Sequence, residues 1–224
     1  AQVYGNAQVY GYARVFGDAQ VCGYAQVYGN AQVYGYARVF GDAQVCGYAQ
    51  VYGNAQVYGY ARVFGDAQVC GYAQVYGNAQ VYGYARVFGD SAVYGNAIVS
   101  ENAGVFGDAR VFGKARVFGD AEVCGDATIC NNAYISSNDD IALVQYFGSM
   151  NRTTTFFRTK DNSISVVCGC FSGTLDEFKS KVKETHGDSY LAEEYLDIAN
   201  LMEKRFKNRE KRKSITIENG QNRK

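Results

Sequence analysis

The residues best suited to chemistry are few, and most lie in the last third of the chain. Cys168-Gly-Cys170 sits in the stretch ISVVCGCF, and His186 and Asp188 follow within twenty residues. Read as one strand, that stretch places both thiols on the same side, because side chains alternate with a period of two. Two thiols near an imidazole and a carboxylate could form a nucleophile with its base, or three soft ligands of a metal site. A tetrahedral zinc needs a fourth ligand, and none is in view. The plainer reading makes Cys168 and Cys170 small apolar residues beneath the two helices that follow. On that reading the chain has no catalytic, cofactor-binding or metal-binding residue, and no cofactor is expected. Aspartate also recurs, as Asp18, Asp42, Asp66 and Asp90, but at a turn place where Asp and Asn are ordinary.

These groups must be positioned by a chain of two unlike parts. Up to Asn138 the sequence uses almost only Ala, Val, Gly, Gln, Tyr, Phe, Arg, Asp and Asn; from Asp139 it is an ordinary mixture. AQVYGNAQVYGYARVFGDAQVCGY fills positions 1–24 and returns letter for letter at 25–48 and 49–72. Each copy is four hexads of Ala-x-Val-aromatic-Gly-x, with Cys once in the aromatic place, and 23 hexads run to Asn138 without insertion. A short fixed period marks a solenoid. Ala and Val share one strand face, the Gln or Arg and the aromatic share the other, and Gly supplies a corner open to positive φ.

Coil size follows from side-chain volume. Ala and Val cannot fill a wide lumen at protein packing density. Three sides of one hexad each give an 18-residue coil that Val can close, whereas four sides would stack the 24-mers in register around a void. Between seven and eight coils, about 4.8 Å apart, would make a prism of roughly 35 Å.

The Val-x-x-x-Ala spacing over 1–138 resembles the hexapeptide repeat of the left-handed parallel β-helix, the fold of the hexapeptide acyltransferases. That resemblance implies the left hand, so the expected chain is mainly β: a left-handed triangular parallel β-helix with three hexads per coil, followed by the small α+β C-terminal capping domain read below. It also implies side-by-side trimers. The acyltransferases use a His on the prism as general base, commonly beside a loop that interrupts the repeat, and the related γ-type carbonic anhydrases hold zinc with three His. Here 1–138 contains neither His nor inserted loop, since His186 is the single histidine. A base titrating near neutrality is the usual requirement for activating a hydroxyl or amine. The chain is therefore expected not to be an enzyme.

From Asp139 to 213 the pattern reads as an α+β cap, with β-strands over 141–171. Thr174 and Glu177 form a capping box that opens a helix over 174–186, and a second helix spans 189–210 with Leu191, Tyr195, Ile198, Met202 and Phe206 on one stripe. Residues 203–213 are rich in Lys and Arg, and 214–224 form a polar tail. Solenoids need terminal caps, and this module stands where one belongs. Its GSMNRTTTFFRTKD…CGCFSGTLDEF…KETHGD pattern resembles an uncharacterised C-terminal domain of bacterial and prophage hexapeptide-repeat proteins, which implies a bacterial or phage-encoded chain and no particular activity.

On an 18-residue coil the outward rings stack in three ladders. One holds Tyr4, Phe40, Tyr58, Tyr76, Tyr94 and Phe112; the second Tyr10, Tyr28, Phe64 and Tyr82; the third Phe16, Tyr34, Tyr52 and Phe88. Such faces are more apolar than a soluble monomer usually shows. They are the candidate interaction surface, for a homotrimer or a longer assembly, as is the uncapped N-terminal end. The cap offers a place for a protein partner. The expected function is a non-enzymatic structural or interaction protein; the alternatives are a surface binding glycans or nucleotides stacked on Tyr, and an acyltransferase-like enzyme. Balanced charge, 22 basic against 22 acidic residues, argues against nucleic acid as the partner. No apolar run is long enough to span a membrane, and seven scattered cysteines fit a reducing cytoplasm better than a disulfide framework.

Overall fold

The computed structural model describes residues 1–208, which form two compact units: Ala1–Asn138, and the chain from Asp139 onward. The end of the expected second helix, the polar tail 214–224 and the basic run from residue 209 on lie outside the described residues.

The first unit is a parallel β-solenoid. Its 23 strands, β1 (Gln2–Val3) to β23 (Tyr134–Ile135), contain two residues each and distribute into three parallel sheets of eight, eight and seven strands. Gln2 pairs with Gln20 and Val3 with Val21, and this step of 18 is kept in every pairing. The expected coil is therefore the observed one. Three sides form because Gly takes φ near +70° at the fifth place, turning the chain where an L residue is strained.

From Ala19 on, the inward Ala and Val are fully buried. Backbone polarity is satisfied from coil to coil: Tyr58 N–H donates to Val75 O (3.0 Å), Gln56 N–H to Ala73 O (2.9 Å) and Tyr60 N–H to Gly77 O (2.9 Å). Each hexad thus supplies one turn, one fragment of sheet and a small apolar wedge.

The second unit is a four-stranded antiparallel sheet in chain order, β24 (Ile141–Phe147), β25 (Arg152–Arg158), β26 (Ile164–Cys168) and β27 (Phe171–Thr174), with helices α1 (Leu175–His186) and α2 (Tyr190–Lys207). The Thr174–Glu177 capping box is present: Glu177 N–H donates to Thr174 Oγ1 (3.2 Å), and Thr174 N–H donates to Glu177 Oε2 (2.7 Å). The core gathers Phe147, Phe156, Val166, Phe178, Tyr195 and Phe206. On α2 the buried stripe is Ala192, Tyr195, Ala199, Met202 and Phe206, a slight rotation that leaves Leu191 and Ile198 half-buried.

One expectation fails here. ISVVCGCF is two strands rather than one: Gly169 (φ +60°) and Cys170 form a two-residue hairpin turn, and Cys168 faces Phe171 across it. Gly at the first turn place is the pattern of a type II′ turn, whose twist suits a hairpin. Cys168 and Cys170 therefore do not share a strand face.

Candidate functional site

The outward rings form ladders whose geometry is set by coil spacing. Phe40, Tyr58, Tyr76, Tyr94 and Phe112 stack with centroids 4.8 Å apart and planes within 7° of parallel. Tyr10–Tyr28, Phe64–Tyr82, Phe16–Tyr34, Tyr34–Tyr52 and Phe88–Phe106 repeat the arrangement on the other faces. Stacking half-buries the inner rings, while Tyr4, Tyr10 and Phe16 of the first coil remain exposed.

The second residue of several hexads touches a ring. Arg38 and Arg62 lie over Phe40 and Phe64 at 5.4 and 5.3 Å, within cation–π range. Two tyrosines bond to a Gln of the next coil: Tyr34 and Tyr58 donate to Oε1 of Gln50 and Gln74, each at 3.2 Å. Cysteines interrupt the ladders singly. A hydrogen bond with the Cys46 thiol, helped by burial, pushes the Tyr28 phenol up to about 12, and Cys70 does the same to Tyr52. The Tyr4 phenol is raised by Cys22, and those of Tyr34, Tyr58 and Tyr94 by burial.

The most exposed rings are others. Tyr12, Tyr24, Tyr36, Tyr48, Tyr60, Tyr72 and Tyr84 occupy the sixth place of alternate hexads and are 63–83 % exposed. On one edge of the prism Tyr12, Tyr48 and Tyr84 alternate with Asn30 and Asp66, so successive tyrosines are two coils, about 9.6 Å, apart. Sequence reasoning centred on the faces missed these edges. The signal was available: an aromatic after the corner Gly lies outside the strand and cannot stack within its face. Asp18, Asp42, Asp66 and Asp90 also lie exposed on the edges.

In the second unit, Cys168, Cys170 and His186 do meet, around a cavity of about 360 Å³; Asp188 is not part of its wall. The floor is Phe147, Phe178, Val182 and Tyr195, all buried. His186 stacks on Tyr195 at 5.4 Å, and Phe147 meets the Tyr195 ring edge-on at 5.3 Å. Tyr195 is fixed at its other end as well, since its hydroxyl accepts from Ser149 N–H at 3.2 Å. Among the described residues no three His, Cys, Asp or Glu side chains are grouped as a metal would require, and all seven cysteines are free thiols. No described helix is long and apolar enough to cross a membrane.

A family model described as the YdcK Beta solenoid repeat matches the first unit at residues 1–15, 7–23, 25–39, 31–47, 49–63, 55–71 and 73–89. The repeats over 1–89 are thus β-solenoid repeats of that type, in agreement with the three-sheet coil. No curated protein and no solved structure matches the chain.

Proposed function

We propose that the protein is a non-enzymatic structural and interaction protein, in which the β-solenoid is a stiff surface that self-associates through its aromatic residues. The observation that supports this most is the repetition of exposed tyrosines along the prism edges at a constant two-coil step. Half-buried ladders stiffen the faces; the edge rings remain free to bury apolar area against a second copy. Three edges of like composition suit a homotrimer or a longer bundle. Sedimentation of the parent chain across a wide concentration range is the test, beside a variant with Tyr36, Tyr48, Tyr60, Tyr72 and Tyr84 changed to Ser. Assembly by the parent and its loss in the variant are expected. A parent that stays monomeric at high concentration would end the proposal.

A second reading draws on the same edges. Tyrosine faces alternating with Asn or Asp offer a stacking platform beside hydrogen-bonding groups, which suits a polymer of sugar rings. Retention of the parent on an immobilised glycan, lost in the serine variant while the parent sediments as a monomer, would favour this reading over self-assembly.

A further inference from the structure

We propose that the cavity of the second unit binds a small aromatic carboxylate. Its volume of about 360 Å³ falls within the range of ordinary small-molecule sites. An apolar cavity of roughly 150 Å³ accommodates benzene, so this one has room for about a dozen non-hydrogen atoms, a ring with a short acidic arm.

The wall divides into an apolar floor and a cationic mouth. Phe147 and Phe178 each meet the Tyr195 ring edge to face, with centroids 5.3 and 6.0 Å away, which is the arrangement a further ring extends. Arg152 and Lys181 stand at the mouth, and no Asp or Glu lines the cavity. Lys181 pairs with Glu184 at 3.0 Å, but both are exposed, so the pair is weak and open to exchange. Arg152 makes no ion pair among the described residues. A guanidinium recognises a carboxylate through two parallel hydrogen bonds, whereas a neutral amide loses that charge-assisted geometry.

Two glycines shape the wall. Gly169 supplies the positive φ of the hairpin turn, and its bare Cα leaves room for the flexible end of Arg152, whose Nη1 would lie 2.8 Å from a Cβ there. A Cβ on Gly148 would lie 2.1 Å from Tyr195 Cζ, so the missing side chain there lets the ring lie flush in the floor. The Gly148 N–H in turn donates to Glu194 Oε2 at 2.9 Å, which ties the turn to α2.

The probe is 3-phenylpropanoate, compared with 3-phenylpropanamide and octanoate, titrated into the full chain by calorimetry and ligand-observed NMR. For a ligand of this size a Kd of about 0.1 mM is expected. The amide should bind at least ten-fold more weakly, and octanoate several-fold more weakly. Arg152→Gln, at an exposed position, should weaken the acid about ten-fold without changing the melting temperature. Thr185→Trp, exposed at the cavity wall, should abolish binding by filling it. Equal affinity for acid and amide, or binding untouched by both variants, would overturn the site. Octanoate binding as tightly as the aryl acid would overturn its aromatic specificity, and no saturation by any probe in the millimolar range would overturn the proposal as a whole.

Discussion

Alanine at Gly47 and at Gly104 separates the two things a glycine does in this fold. Gly47 has φ +71°, and a Cβ there would lie 2.9 Å from Gly65 N and 3.0 Å from Gly65 O. Those atoms are backbone of the next coil, and Gly65 O already accepts from Tyr48 N–H at 2.8 Å, so they cannot swing aside. Holding an L residue in the left-handed region costs roughly 1–2 kcal/mol, and the forced displacement adds roughly 1–3 kcal/mol. Restricting the unfolded chain returns roughly 0.4–1 kcal/mol. Gly47→Ala should therefore lose about 2 kcal/mol or more. Gly104 occupies the second place of its hexad without a positive φ, and its Cβ would meet the Phe106 ring at 3.5 Å and Glu122 Cγ at 3.8 Å, ordinary contacts. Gly104→Ala should gain about 0.4–1 kcal/mol. Thermal and urea midpoints followed by circular dichroism are the assay, compared directly because long repeat arrays depart from all-or-none unfolding. Glu101 and Asn131 already fill the corner at φ 60° and 57°, and Glu101 offsets the strain by accepting from Gly119 N–H at 3.0 Å. Alanine has no such group. A Gly47→Ala midpoint at or above the parent's, or a Gly104→Ala midpoint below it, would refute the view that coil-to-coil backbone approach keeps glycine at the corners.

Two further outcomes are expected. Val57 is fully buried, so Val57→Asp should lower stability by several kcal/mol (roughly 3–5), whereas Gln56→Asp on the outer face should change it by less than ~1 kcal/mol; equal melting of the two would mean that the faces are inverted. The second concerns alkali. The Tyr28 and Tyr52 phenols, raised from 10.0 to about 12, bind their protons more tightly folded than unfolded. Their stabilisation is complete below pH 10 and is lost as pH climbs from 10 to 12. Tyrosinate absorbance of the native chain should lag that of the urea-unfolded chain across this window, and superimposable titrations would contradict the ladder environment.

What could be read from the letters was whatever depended on volume and period. Ala and Val at the inward places leave only a narrow lumen, which forces three hexads per coil, and Thr174 with Glu177 marks a helix start because two backbone donors need those side chains. The pairing of Arg with Phe was also present in the text, as ARVF, but its meaning needs the distances, and the bond from Tyr58 to Gln74 joins two coils and cannot be read within one hexad. The Gly169 hairpin was hidden because Val166, Val167, Cys168 and Phe171 are all good strand residues and the turn lacks Asn or Asp. The cavity was illegible for a different reason. Its walls come from the β24–β25 turn, the β26–β27 hairpin and both helices, and contacts such as Gly148 with Glu194 join residues 46 apart. Local pattern cannot supply such a meeting. The cysteines were read chiefly as small apolar residues beneath the helices, with a nucleophile or metal site as the alternatives, and the structure leaves Cys170 exposed and Cys168 and His186 half-buried beside an apolar floor.

The mismatch between the copied unit and the coil has its own consequence. A unit of four hexads on a coil of three returns to the same face only after three copies, so each copy begins one face further round. Every face therefore receives the same order of Tyr, Tyr, Cys and Phe, and equivalent positions on neighbouring faces are offset by about 6.4 Å along the axis. Had the coil held four hexads, Cys22, Cys46 and Cys70 would have stacked into one column of thiols, and one face would have lost its rings. As it is, Cys22, Cys46 and Cys70 lie in different sheets and different coils, each with aromatic neighbours above and below, so the three exact copies place no more than one gap in any coil. Because the copied unit is a whole number of hexads, gaining or losing a copy preserves every inward Ala and Val and every corner Gly, and merely moves the downstream hexads to the next face. A surface whose three edges are alike tolerates that change. A catalytic cleft, which depends on one side chain lying opposite another, would not.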